Sequence, residues 1–231
     1  MTPVKNIIFD LGNVLYDIDF TKMYNEFDQL GIPNFQNHFT LNQCDSLFYD
    51  IEKGLISETA FCEGFNQLYN LSLSHHQIIS AWNSLLIGFR KESMDWIKDH
   101  QHAYPMFLYS NTNQIHCNYV LPQFEREIGG DFEKLFKTPY YSHKMGMRKP
   151  DPASFQFILD QEGLIAAETL FIDDNEPNVR GAASVGLQVL YLQPGMFIET
   201  ELPKLLGKKT SMSLNKGSKK GSMGPKGQNS T

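Results

Sequence analysis

The stretch Asn6-Ile7-Ile8-Phe9-Asp10-Leu11-Gly12-Asn13-Val14 decides the reading of this chain. A short apolar run that closes on an acid and a glycine describes a strand buried on both faces, delivering Asp10 at its carboxyl end. Three further signals follow in order. Phe107-Leu108-Tyr109-Ser110-Asn111 is a second apolar strand, ending in a hydroxyl. Gly146-Met147-Arg148-Lys149-Pro150 brings a lysine, and Leu170-Phe171-Ile172-Asp173-Asp174 is a third apolar strand ending in paired carboxylates. A carboxylate, a hydroxyl, a lysine and an acidic pair at strand ends suit nucleophilic, metal-assisted phosphoryl transfer. Each alone has a plainer explanation. Ser110-Asn111 is ordinary turn chemistry, and Asp173-Asp174 complements a helix dipole. The ordered set argues against coincidence.

Outward from these runs, strand and helix alternate over the second half of the chain. A helix near 93–100 precedes the strand 106–110, and a strand near 138–142 precedes a helix starting at Pro152. The strand 169–173 leads into a helix over 177–185, closed by Gly186, and 187–192 is a last strand. That alternation predicts an α/β fold with a doubly wound parallel sheet, whose ligands bind at the carboxyl ends of the strands. Residues 1–17 and 90–206 then form the core domain, and 18–89 a helical cap inserted after the first strand. Within the insertion, Ser57 opens a helix carrying Phe61, Phe65 and Leu68. Ser74 caps another with Ile78, Ile79, Trp82, Leu85 and Leu86. Phe27, Phe39, Phe48 and Phe65 are its expected core.

The 231 residues are 41% hydrophobic, enough for a full core. No run approaches the roughly 20 apolar residues that cross a bilayer, and no secretory signal opens the chain. Cys44, Cys62 and Cys117 are odd in number and widely spaced, which favours free thiols and a cytoplasmic location. The net charge is −6, but residues 207–231 hold six lysines and no acid, so the remainder stands at −12. Such a body is a poor match for nucleic acid. The Gly/Ser/Lys-rich end reads as a disordered basic tail. The expected partner is a small phosphorylated metabolite, not nucleic acid or membrane, with the chain a monomer or small homo-oligomer. His75-His76 reads as a solvated first helical turn, and Cys117 beside His116 lacks a third partner for a triad.

With these segments in place, the chain resembles the haloacid dehalogenase-like hydrolase superfamily over roughly residues 4–192. The resemblance is carried by Asp10-Leu11-Gly12-Asn13-Val14, Ser110-Asn111, Lys149-Pro150 and Asp173-Asp174. It looks closest to the branch of bacterial sugar-1-phosphate phosphatases, which shares Asp17-Ile18-Asp19-Phe20, Ser110-Asn111-Thr112-Asn113 and Asp173-Asp174-Asn175. The resemblance implies a Rossmann-like core under a cap and a phosphatase in which Asp10 attacks phosphorus and forms an aspartyl-phosphate. It implies Mg²⁺ held by Asp10, the Gly12 backbone carbonyl and Asp174, with Asp173 acting through water. Ser110 and the Asn111 backbone N–H, beside Gly12, would hold the phosphate, while Lys149 offsets charge on nucleophile and phosphate.

One position departs from the superfamily's common pattern. Most of its phosphatases carry a second Asp two residues after the nucleophile, where this chain has Gly12. A glycine offers a carbonyl but no proton, and general acid–base catalysis contributes typically about 10²–10⁴-fold. Without a positioned acid, the rate should depend steeply on leaving-group acidity, so sugar 1-phosphates should outrun 6-phosphates. Asp17 or Asp19 could substitute. The rival readings are a metal-independent dehalogenase-like hydrolase and a non-catalytic phosphometabolite-binding regulator.

Overall fold

The computed structural model describes residues 2–39 and 45–207. In chain order the first half runs β1 (Asn6–Phe9), β2 (Tyr16–Ile18), α1 (Phe20–Gln29), α2 (Ser46–Glu52), α3 (Glu58–Tyr69), α4 (His75–Asn83) and β3 (Leu86–Phe89). The second half runs α5 (Lys91–His100), β4 (Met106–Ser110), α6 (Gln114–Glu127), β5 (Thr138–Tyr141) and α7 (Ser142–Met145). It closes with α8 (Pro152–Glu162), β6 (Thr169–Asp173), α9 (Glu176–Ser184), β7 (Gln188–Tyr191) and α10 (Ile198–Gly207). Five strands form one sheet in the order β5-β4-β1-β6-β7, every pairing parallel. The expected doubly wound α/β fold is what the chain adopts.

β1 lies at the centre because its run is apolar on both faces. Its alternation sends Ile7 and Phe9 to a cluster with Ile97, Phe124 and Leu202, and Ile8 to the opposite cluster with Phe155, Ile158 and Ala182. Ile7, Ile8 and Phe9 are all buried. Removing each from water is worth about 1.5–3 kcal/mol, which fixes the register of the central strand.

The helices between β2 and β3 build a second core. Phe27, Phe39, Phe48 and Phe65 are all buried in it, as expected, and Phe48 stacks on Trp82 at 5.4 Å. Ile115 of α6 also joins this cluster. Ser57 and Ser74 cap α3 and α4 as anticipated, Ser74 through a reciprocal box with Gln77. Leu68 departs from the expectation. It lies on the outer face of α3, 47% exposed.

Three further differences have physical causes. The helical pattern through Leu86 stops at Asn83, where the Ser84 hydroxyl donates to the Ala81 carbonyl and closes the last turn. Leu86–Phe89 then pairs antiparallel with Tyr16–Ile18, a two-stranded flap at the mouth of the insertion. Helices α6 and α10 have no counterpart in the sequence reading, and each carries a proline inside it, Pro122 and Pro203, a residue that disfavours a helix interior. No helix among the described residues is long and apolar enough to cross a membrane. Cys62 and Cys117 are free and buried. Cys44 and the expected disordered tail after Gly207 fall outside the described residues.

Candidate active site

Parallel pairing aligns the carboxyl ends of β4, β1 and β6, and the chemistry gathers there. Asp10 directly follows β1, and its N–H donates to the Ile172 carbonyl at 2.9 Å. Ser110 ends β4 and Asp173 ends β6, both buried. Lys149 arrives from the loop before α8 and is 1% exposed. Its ammonium donates to Asp10 Oδ1 at 2.6 Å and to Asp173 Oδ2 at 2.7 Å. All seven positions singled out in the sequence, Asp10, Gly12, Ser110, Asn111, Lys149, Asp173 and Asp174, therefore sit at one edge of the sheet.

Each carboxylate is differently committed. Asp173 accepts from Lys149, from the Asn175 N–H at 2.8 Å and from the Asn178 amide at 3.1 Å to both oxygens. Asp174 Oδ2 accepts from the Asn13 amide at 3.0 Å. Asn13 can aim there because it holds a left-handed backbone, φ 52°, a conformation asparagine tolerates. Its side-chain Oδ1 accepts from the Ile18 N–H at 3.3 Å, tying the nucleophile loop to the flap.

Oxygens of Asp10, Asp173 and Asp174 lie within 4.8 Å of one another. That spacing is close to the roughly 4.2 Å that two Mg²⁺–oxygen bonds span, and Asp10 and Asp174 are the less committed of the three. The donor set is all oxygen, as a hard cation requires. The electrostatics point the same way. Burial pushes the Asp10 carboxyl well above the usual range, reinforced by Asp173 and Asp174 and opposed by Lys149. Burial also raises Asp174. For Lys149, burial opposes its charge, but Asp10 and Asp173 outweigh that and hold the ammonium protonated. Three carboxylates against one ammonium leave an excess of negative charge that a divalent cation would neutralise.

Asp174 and Asn13 line a cavity of about 300 Å³ with Arg90. Beside the carboxylates lies a separate, narrow cleft of about 80 Å³. Gly12, Ser110, Asn111 and Thr112 line one wall, while Ile18, Phe39 and Glu52 come from the flap and the insertion. Asp17 and Asp19 do not line it. Asp17 pairs with Arg90 at 2.6 Å and is half exposed, and Asp19 accepts from the Thr21 N–H as the N-cap of α1. At Gly12 a Cβ would meet Ile18 Cδ1 at 3.1 Å, and the backbone is not left-handed. An apolar side chain therefore stands next to the position where a second aspartate would be.

The sequence reading missed four residues here. Asn13 and Asn178 orient Asp174 and Asp173. Glu52 and Arg148 meet at 3.0 Å across the junction between α2 and the loop carrying Lys149. The Gly12-Asn13 pair was a usable signal for a left-handed turn. Nothing in the sequence singles out Glu52.

A model of haloacid dehalogenase-like hydrolases matches residues 4–186. The chain belongs to this family. A D-ribitol-5-phosphate phosphatase from Bacteroides thetaiotaomicron is 28% identical over 204 residues, covering 88% of this chain and 98% of that protein. Among solved structures, a HAD family enzyme from the same organism, in complex with magnesium and inorganic phosphate, is 32% identical with a TM-score of 0.76. The match covers 83% of this chain and 96% of that one. A predicted HAD-like family hydrolase from Porphyromonas gingivalis is 28% identical with a TM-score of 0.81, over 89% and 98% of the two chains. This HAD-like hydrolase is an enzyme of the phosphatase kind, which sets aside the non-catalytic reading.

Proposed function

We propose that this HAD-like phosphatase is Mg²⁺-dependent and hydrolyses small polyhydroxylated phosphomonoesters through an aspartyl-phosphate on Asp10. The observation that carries the reading is the buried Lys149 ammonium shared between Asp10 and Asp173, beside Asp174. Residues 1–17 and 90–206 supply the reacting groups, and 18–89 acts as the cap that closes the cleft.

Asp10 attacks phosphorus in line with the leaving oxygen, and that P–O bond breaks. Lys149 donates to the nucleophile, which favours its ionised form against burial, and offsets charge on the transferring group. Ser110 and the Asn111 N–H hold phosphate oxygens next to Gly12. Asp10, the Gly12 carbonyl and Asp174 are the residues that would hold Mg²⁺, with Asp173 orienting Lys149. The ion would supply charge neutralisation at the phosphate. Three clustered carboxylates favour this over a metal-independent dehalogenase. The narrow cleft excludes bulky esters, and the relative named for ribitol 5-phosphate supports a sugar or sugar-alcohol phosphate.

Phosphate release across sugar, sugar-alcohol and aryl phosphates, with and without Mg²⁺, tests the reading. Release confined to the Mg²⁺ arm is expected. No release from any ester with the metal present would overturn it.

A further inference from the structure

Gly12 leaves the reaction without the acid that position 12 commonly supplies, and the structure narrows the search for a replacement. In-line displacement places the leaving oxygen on the far side of phosphorus from Asp10. We assign it to the cleft lined by Gly12, Ser110 and Asn111, the residues assigned to the phosphate. Three ionisable side chains line that cleft among the described residues: Tyr16, Glu52 and His116. The Tyr16 hydroxyl donates to Gln123 Oε1 at 2.6 Å, and burial raises it far above the working range of an acid. His116 has both ring nitrogens engaged, Nε2 with the Trp82 carbonyl and Nδ1 with the Asn113 amide, each at 3.2 Å. Burial pushes its imidazole down to about 4, so it is neutral near pH 7. Neither can deliver a proton and recover it.

Glu52 can. It ends α2 and is 8% exposed, with Oε2 buried and making no hydrogen bond. Arg148 Nη2 stands 3.0 Å from that oxygen without a hydrogen-bonding alignment, and Arg148 Nε is likewise buried without an acceptor. The guanidinium lies over the Tyr49 ring at 5.4 Å. Arg148 therefore holds the Glu52 carboxyl at the cleft, and the next residue is Lys149, which contacts the nucleophile.

We propose that Glu52 is the general acid–base of this enzyme, acting from the cap wall of the cleft in the role left empty at Gly12. The assignment rests on the phosphatase reading above. In the first step a carboxylate oxygen of Asp10 bonds to phosphorus, and the ester P–O bond breaks with its electron pair going to the leaving oxygen. The Glu52 carboxyl proton passes to that oxygen, releasing the alcohol and leaving Glu52 ionised. In the second step Glu52 takes a proton from water as the water oxygen bonds to phosphorus. The P–O bond to Asp10 then breaks, inorganic phosphate leaves, and Asp10 and Glu52 return to their starting states. Burial raises the Glu52 carboxyl above its ordinary range, opposed by Arg148 and Lys149, the charged groups facing it from the loop before α8. That direction favours a protonated acid at the start of the cycle.

The test is kcat/KM over alkyl and aryl phosphates of graded leaving-group pKa, with pH profiles, for wild type, Glu52→Gln and Glu52→Asp. Wild type is expected to depend shallowly on leaving-group pKa. Glu52→Gln should lose about 10²-fold or more on alkyl phosphates and far less on p-nitrophenyl phosphate, and the alkaline limb of its profile should vanish. Glu52→Asp should keep that limb, and Gly12→Asp added to Glu52→Gln should restore part of the alkyl activity. A uniform loss across the series, or none, would overturn the assignment. If Glu52→Gln does not fold by circular dichroism, Glu52→Asp decides alone: a loss concentrated on alkyl esters supports the role, and a uniform one overturns it. A wild type that releases no phosphate from any ester fails the phosphatase reading itself, whereas an active wild type with a uniform Glu52→Gln series fails only this assignment.

Discussion

The Asn111 side chain clamps the backbone of Lys149, its carbonyl oxygen accepting from the Lys149 N–H and its amide donating to the Lys149 carbonyl, both at 2.9 Å. The residue expected to bind phosphate through its own N–H thus also fixes, with its side chain, the loop that presents the buried ammonium. Asn111→Ala removes both bonds, each worth about 1 kcal/mol net. We expect kcat/KM to fall roughly tenfold to hundredfold, mostly in kcat, because Lys149 serves the reacting groups. Steady-state kinetics on one good substrate checks the split; a change confined to KM would assign Asn111 to ground-state binding alone.

Asp10→Asn should abolish turnover with the fold retained. The amide is nearly isosteric but is a poor nucleophile and a weaker metal ligand. Phosphate release by rigorously purified protein, beside its circular dichroism spectrum, gives the answer. Residual turnover above background would exclude covalent catalysis on this residue.

The two terminal acids of β6 should separate by phenotype. Asp174→Ala should shift the Mg²⁺ activation curve to much higher concentration, since its carboxylate is the less committed of the pair. Asp173→Asn should change Mg²⁺ dependence less. It weakens charge-assisted bonds from Lys149 and Asn178 inside the protein, so it should lower stability by about 1.5–3 kcal/mol. Mg²⁺ titrations and urea melts on both variants read the contrast, and a reversed order in Mg²⁺ would exchange their roles.

Gly12→Asp should fold. The backbone there is not left-handed, and the nearest obstacle is Ile18 Cδ1, the end of a flexible side chain, at 3.1 Å from the new Cβ. A cost of about 1 kcal/mol is expected, relieved by adding Ile18→Val. Thermal melts of the single and double variants test this, and an unrelieved loss would place the strain in the backbone instead.

Lys149 was carried only by its motif in a loop, but Asp10, Ser110 and the Asp173-Asp174 pair were legible because each closes or follows an uninterrupted apolar run. Such runs have one stable home, a strand buried on both faces, so their end residues are placed by the fold. The flap was not legible. Leu86 continues the helical spacing of Ile78 and Trp82, and only pairing with Tyr16–Ile18 turns that segment into a strand. Glu52 was illegible for a deeper reason. Its place at the cleft is set by how α2 docks on α7, where a Cβ on Gly54 would meet the His143 carbonyl oxygen. No local pattern encodes a contact between segments about 90 residues apart.

Ile115, the second residue of α6, completes the aromatic cluster of the insertion from the opposite side of the junction. The insertion is therefore not a self-contained module that evolution or an engineer can exchange freely. A transplanted insertion would arrive with a socket shaped for a side chain that the recipient must already carry, a few residues after Ser110. Specificity borrowed by grafting would come at the expense of folding unless position 115 travels with it.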